Sequence, residues 1–139
     1  MNTQHLKVQV SELTLDTFIS SEGALHVFEL QKLPFVPRRL YWITGVPKNG
    51  IRGQHGHKQL EQAIGAVAGS CKLSVHDGNH ILDLDLVSEN GLVYIPAGHW
   101  RKLYNFSEDC TVLVVASEVY NEEDYIRDFD EFLNWKKTN

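Results

Sequence analysis

The sequence predicts an all-β domain, a sandwich or barrel closed by one C-terminal α-helix. Three observations carry this. From Leu25 to Ala116 the chain is a succession of short apolar or alternating runs bounded by turn residues, the pattern of strands. Asp77-Gly78 stands between two of these runs and is a hairpin signal. Only the last segment changes period, from two to three and four residues. The length of 139 residues makes one domain, 1–139, large enough to bury a core without disulfides or metals.

The runs read as strands are Leu25–Leu30, Arg39–Thr44, Gln54–His57, Gln62–Val67, Cys71–His76, His80–Leu86, Leu92–Ile95, Arg101–Tyr104 and Thr111–Ser117. Gly69-Ser70 and Glu89-Asn90-Gly91 punctuate them as turns. The helix is expected over 121–136. Asn121 can cap it, Glu122, Glu123 and Asp124 suit its positive end, and Lys136 and Lys137 its negative end. Tyr125, Ile126, Phe129, Phe132 and Leu133 make its apolar stripe, so the helix is expected to pack on the barrel and to carry no chemistry.

A formal net charge of −5 argues against a nucleic-acid footprint, which would be basic. It leaves room for an anionic small ligand held by a few local arginines. No apolar run reaches the length of a membrane span, and the N-terminus lacks the apolar core of a signal peptide. The cytoplasm is the expected location, with no membrane and no nucleic acid as partner. Cys71 and Cys110 each lie in an apolar, strand-like run, so both are expected as buried reduced thiols. Trp42, Trp100 and Trp135 are expected as core or interface fillers, and His5, His26, His76 and His80 as solvated side chains at edges or turns.

The chemistry concentrates in Arg52-Gly-Gln-His-Gly-His-Lys58. His55 and His57 are two apart, which on a strand puts both on one face. With Gly50, Glu61 and Gly69 they resemble the first cupin motif, and Gly91, Pro96, Gly98 and Asn105 fit the frame of the second. A jelly-roll barrel of the cupin type is therefore the expected fold. Where the fourth metal ligand belongs the chain has Arg101, which donates only and cannot bind a metal. His99 precedes it by two residues, a displacement of roughly 6–7 Å along a strand, and reads as a loop histidine. Without a metal, imidazoles can move protons near neutral pH. Arg52, Arg101 and Tyr41 are then partners for a developing oxyanion or a phosphate. That set suits proton transfer next to a carbonyl. Lys58 adds positive charge nearby, and Glu61 is a candidate to orient a histidine.

Taken together, several segments resemble the dTDP-sugar 3,4-ketoisomerases, a metal-free cupin family. They are Arg39-Leu-Tyr-Trp-Ile43, Arg52 to Gln62, Gly91-Leu-Val-Tyr-Ile-Pro96, Tyr104-Asn-Phe-Ser107, and the tail from Tyr120 to Phe132 with its Asp-Tyr-Ile-Arg. The resemblance implies interconversion of 4-keto and 3-keto 6-deoxy sugars on dTDP, with His55 and His57 as acid and base and no cofactor. It implies that Arg52 and Tyr41 contact sugar or diphosphate, and that the protein is a homodimer exchanging its N-terminal segment, 1–24. Members differ between His and Arg at position 101, and Arg101 resembles the branch yielding dTDP-3-keto-6-deoxy-D-glucose rather than its galacto epimer. Glu22 stands where other members carry Arg or Tyr, which makes it a candidate substrate contact. Two other readings compete. One is a metal-dependent cupin, a dioxygenase or sugar isomerase using His55, His57, Glu61 and His99. The other is a sugar-nucleotide sensor that binds without turnover.

Overall fold

The computed structural model describes residues 8–139; His5 and the first part of segment 1–24 lie outside them. Twelve strands and one helix follow in chain order: β1 Ser11–Leu13, β2 Asp16–Ser20, β3 Gly23–Val27, β4 Arg39–Ile43, β5 Arg52–His57, β6 Gln62–Ala68, β7 Ser70–His76, β8 Ile81–Val87, β9 Leu92–Ile95, β10 Trp100–Tyr104, β11 Thr111–Ala116, β12 Tyr125–Ile126 and α1 Phe129–Thr138. They form two antiparallel five-stranded sheets, ordered β1-β9-β6-β11-β4 and β12-β5-β10-β7-β8, and a separate β2-β3 hairpin. Ile64, Val93, Val112 and Val114 of the first sheet meet Leu73, Val75, Leu86 and Leu103 of the second in one buried cluster. The two sheets thus close face to face into a jelly-roll barrel. Alternation in β7, with Cys71, Leu73 and Val75 buried and their neighbours half-buried, shows the period-two pattern at work. Cys71 and Cys110 are buried and free, as expected. No helix among the described residues is long and apolar enough to cross a membrane.

The tail departs most from expectation. The helix does not begin at Asn121. Asn121 caps only a 3-10 turn, Glu122–Asp124, accepting from the Glu123 amide at 3.1 Å. Tyr125 and Ile126 then run as β12 beside β5, opposite His57 and Gly56. The helix proper is capped by Asp128, whose carboxylate accepts from the Glu131 amide at 2.9 Å. An N-cap acid with a glutamate three residues on is a capping-box signature. It lay within the longer periodic stretch and was masked by it. The run from Leu25 to Leu30 also divides, with strand to Val27 and a 3-10 turn from Leu30. β1 and β2 fall outside the runs that the pattern marks as strands; only the resemblance implies strands before Leu25.

Two packing features position the site. Phe132 of α1 is fully buried, and a Cβ on Gly56 would lie 2.9 Å from its ring. Gly56 therefore gives its face of β5 to the helix while His55 and His57 face inward. β5 also carries a bulge. Arg101 of β10 pairs with His55 and Leu103 with Arg52, so a step of two residues on β10 matches a step of three on β5. Gly53 sits in that bulge with φ +68°, a conformation that only glycine adopts without cost.

Candidate active site

A cleft of about 360 Å³ opens at one end of the barrel, lined by residues that include Tyr41, Arg52, His55 and Arg101. Arg52 and His55 of the histidine string, the arginine in the fourth-ligand position and the strand-four tyrosine thus converge on one cleft. The rings of His55 and His57 lie on one strand face, centroids 4.7 Å apart. His55 lines the cleft, and its Nε2 is buried with no hydrogen-bond partner among the described residues. His57 stands behind it, only 3% exposed.

The tail around β12 supplies side chains to which the sequence assigned only helical roles or none. Asp124 accepts from His57 Nδ1 at 3.2 Å and from the amides of Gln59 and Leu60 at 2.7 and 3.2 Å. The orienter of the histidine is therefore Asp124. Glu61 points elsewhere and accepts from the Tyr94 hydroxyl. The Tyr125 ring packs edge-on against both His55 and His57, with centroids at 4.9 and 4.4 Å. Arg127 lies 4.4 Å over that ring and pairs with Glu122 through Nε and Nη2. Arg39, two residues before Tyr41 and on its face of β4, also lines the cleft. The signal for Arg39, Tyr125 and Arg127 was present as i, i+2 pairs of polar or aromatic residues on short strands. For β12 that signal was hidden by the helical reading.

Two candidates lie away from this cleft. Lys58 is exposed just past the end of β5 and does not line it. Glu22 is exposed in the turn of the β2–β3 hairpin and touches nothing of the cleft within its own chain. His99 is in the loop before β10, as expected, but buried, with Nδ1 on the Ala97 carbonyl at 3.1 Å. Its position and the orientation of Glu61 leave the histidines without a third ligand. Among the described residues no three His, Cys, Asp or Glu side chains are grouped to hold a metal ion.

The electrostatics of the cleft are cationic. Arg101 is 1% exposed. Its Nη2 donates to the Tyr41 hydroxyl at 3.2 Å and to Gln62 Oε1 at 3.0 Å, while Nε and Nη1 are buried without partners. No ion pair among the described residues includes Arg101. A buried charge without a counter-ion is costly and reads as a site awaiting negative charge. Burial first, then the Arg101 charge, lowers the His55 pKa to about 2. Burial and Arg101 also lower His57, while Asp124 pulls it back up. Both imidazoles are held neutral and able to accept a proton. A neutral base beside a bare guanidinium and a tyrosine hydroxyl can remove a proton next to a carbonyl and hold the resulting oxyanion.

Comparison with known proteins agrees with that chemistry. The family described as FdtA, WxcM-like C-terminal, matches residues 7–137. A TDP-4-oxo-6-deoxy-alpha-D-glucose-3,4-oxoisomerase of Aneurinibacillus thermoaerophilus is 39% identical over 118 residues, covering 84% of this chain and 85% of that protein. The crystal structure of a 3,4-ketoisomerase from Helicobacter canadensis superposes with a TM-score of 0.89 at 36% identity, over 94% of this chain and 99% of that one. QdtA, a sugar 3,4-ketoisomerase from Thermoanaerobacterium thermosaccharolyticum solved with TDP, gives a TM-score of 0.88 at 33% identity, over 93% and 95% of the two chains.

Proposed function

This chain belongs to the FdtA family of sugar 3,4-ketoisomerases, and from that premise we propose that it converts TDP-4-keto-6-deoxyglucose to its 3-keto isomer with His55 as the base. The observation that carries the reading is the bare, buried Nε2 of His55 beside the uncompensated guanidinium of Arg101. His55 takes the proton from carbon 3. The released pair forms the C3=C4 bond, and the carbonyl pair moves onto the carbon-4 oxygen, where Arg101 and Tyr41 hold the negative charge. His57 keeps Nδ1–H on Asp124, which leaves Nε2 to take the carbon-3 hydroxyl proton and pass it to the carbon-4 oxygen. The new carbonyl forms at carbon 3, and His55 returns its proton to carbon 4. Atoms and electrons balance with no outside oxidant. Arg39, Arg52 and Arg127 suit the diphosphate. Arg101, in place of a histidine, favours the gluco configuration at carbon 4.

Incubation with TDP-4-keto-6-deoxyglucose in deuterated water, followed by NMR, tests this. The expected result is a 3-keto isomer of gluco configuration, deuterated at carbon 4 and formed in the presence of a chelator. Tight binding without proton exchange would favour a sensor instead, and loss of turnover on chelation a metal enzyme.

We also infer a homodimer. The β2–β3 hairpin is isolated and exposes Phe18, Ile19 and Leu25 at 61, 81 and 61%. A lone two-stranded hairpin is marginal in water. Leu40, Trp42 and Val67 add an exposed apolar patch on the outer face of the first sheet, and such patches mark contact surfaces. Within segment 1–24, β1 pairs with β9 of its own chain, while β2 belongs to neither five-stranded sheet. In such a dimer Glu22, at the hairpin tip, meets substrate in the partner's cleft. Light scattering is expected to give twice the mass of one chain, and Trp42→Asp to give monomers. A wild-type monomer at micromolar concentration would refute the arrangement.

A further inference from the structure

β6 reads Gln-Ala-Ile-Gly-Ala-Val-Ala, an apolar strand with one polar residue at its start. Gln62 is 2% exposed and faces the barrel interior with Ile64 and Ala66. A buried amide in an apolar strand is costly unless its hydrogen-bonding groups are used. Its oxygen has one use: it accepts from Arg101 Nη2 at 3.0 Å. Gly53 completes the slot from the other side. A Cβ there would lie 2.0 Å from Arg101 Nη1 and 2.9 Å from Cζ, so only glycine lets the guanidinium enter.

We propose that Gln62 is a positioning residue for the isomerisation, a neutral acceptor that aims the Arg101 guanidinium into the cleft without neutralising it. The inference rests on the proposed roles of His55 and Arg101. A carboxylate at position 62 would satisfy the guanidinium better, as a charge-assisted pair. It would also spend the charge that the oxyanion needs. Among the described residues a hydroxyl and an amide oxygen are the only acceptors of Arg101, which leaves Nε and Nη1 for the developing negative charge. The strand's apolar neighbours supply no competing charge. The groups that act on His55 are Arg101 from β10, His57 from its own strand, Arg39 from β4 and Arg127 beyond β12. None of these is an acid. A new carboxylate at position 62 would thus be felt directly by the imidazoles.

Gln62→Glu is the test, read by NMR titration of the histidine rings and by the pH dependence of kcat. In the wild type the His55 ring is expected to stay neutral well below pH 6.5. In Gln62→Glu its titration should move upward, because the carboxylate offsets the Arg101 charge while burial still holds it below the free value. Turnover should fall roughly 10- to 100-fold with KM little changed, and its acid limb should rise with the titration. An unmoved His55 titration and unchanged kcat would overturn the inference, whatever the wild type catalyses, since the titration needs no substrate. Wild-type protein without isomerase activity would instead overturn the functional reading on which it rests. If the glutamate variant does not fold, Gln62→Met decides: reduced kcat with an unmoved acid limb supports positioning, and wild-type kcat refutes it.

Discussion

His55→Asn is expected to abolish both isomerisation and hydrogen exchange at carbon 3 while the protein stays folded. A positioned base contributes typically about 10²–10⁴ in rate, and His55 is the imidazole among the described residues that line the cleft. Asparagine keeps a polar group of similar reach but cannot take up a proton near neutral pH. Binding of the nucleotide should survive, because the arginines that suit the diphosphate are untouched. His57→Asn should behave differently. His57 lies behind His55 and is tied to Asp124, so its loss should block completion of the isomerisation and leave exchange at carbon 3 measurable. Deuterium incorporation read by NMR in the two variants separates the roles. Exchange that persists in His55→Asn and vanishes in His57→Asn would reverse the assignment.

Arg101→Leu should cost catalysis and stabilise the fold. Removing one oxyanion donor typically lowers kcat about 10²–10³-fold. The same side chain is a buried cation without an acidic partner, and replacing buried charge by apolar volume often gains about 1–4 kcal/mol. A higher Tm with a collapsed kcat is the expected pair of results. The pH dependence carries an independent sign. In the wild type, burial and the Arg101 charge lower the pKa of both histidines, so the neutral base persists well below pH 6.5. Without the guanidinium, protonation becomes easier and both pKa values rise. The residual activity should therefore fail at a higher pH on the acid side. A lowered Tm together with an unmoved acid limb would mean that Arg101 is a structural residue and not an electrostatic one.

Much of this site was readable from local pattern. A spacing of two on a strand puts His55 and His57 on one face, and they are there. Position 101 followed from motif spacing, and the register of β10 sets Arg101 opposite His55. The tail was misread because two signals overlapped. Tyr125, Ile126, Phe129, Phe132 and Leu133 satisfy a helical stripe whether or not the first two are helical. What makes Tyr125 and Ile126 a strand is the edge of β5, nearly seventy residues upstream, and no local window contains it.

By itself, the sequence determined most of the strands from β3 to β11, the placement of two histidines on one strand face and the arginine that replaces a fourth ligand. These depend on side-chain period and on the valence of single residues, which are local properties. Tertiary structure decided which carboxylate orients the histidine, Asp124 and not Glu61. It also decided that Gly53 and Gln62 form the slot for Arg101, and that Glu22 and Lys58 lie outside their own chain's cleft. Those outcomes depend on which strand edges meet and in what register. That is settled by burial of the whole barrel, whose free energy is shared among residues far apart in the chain.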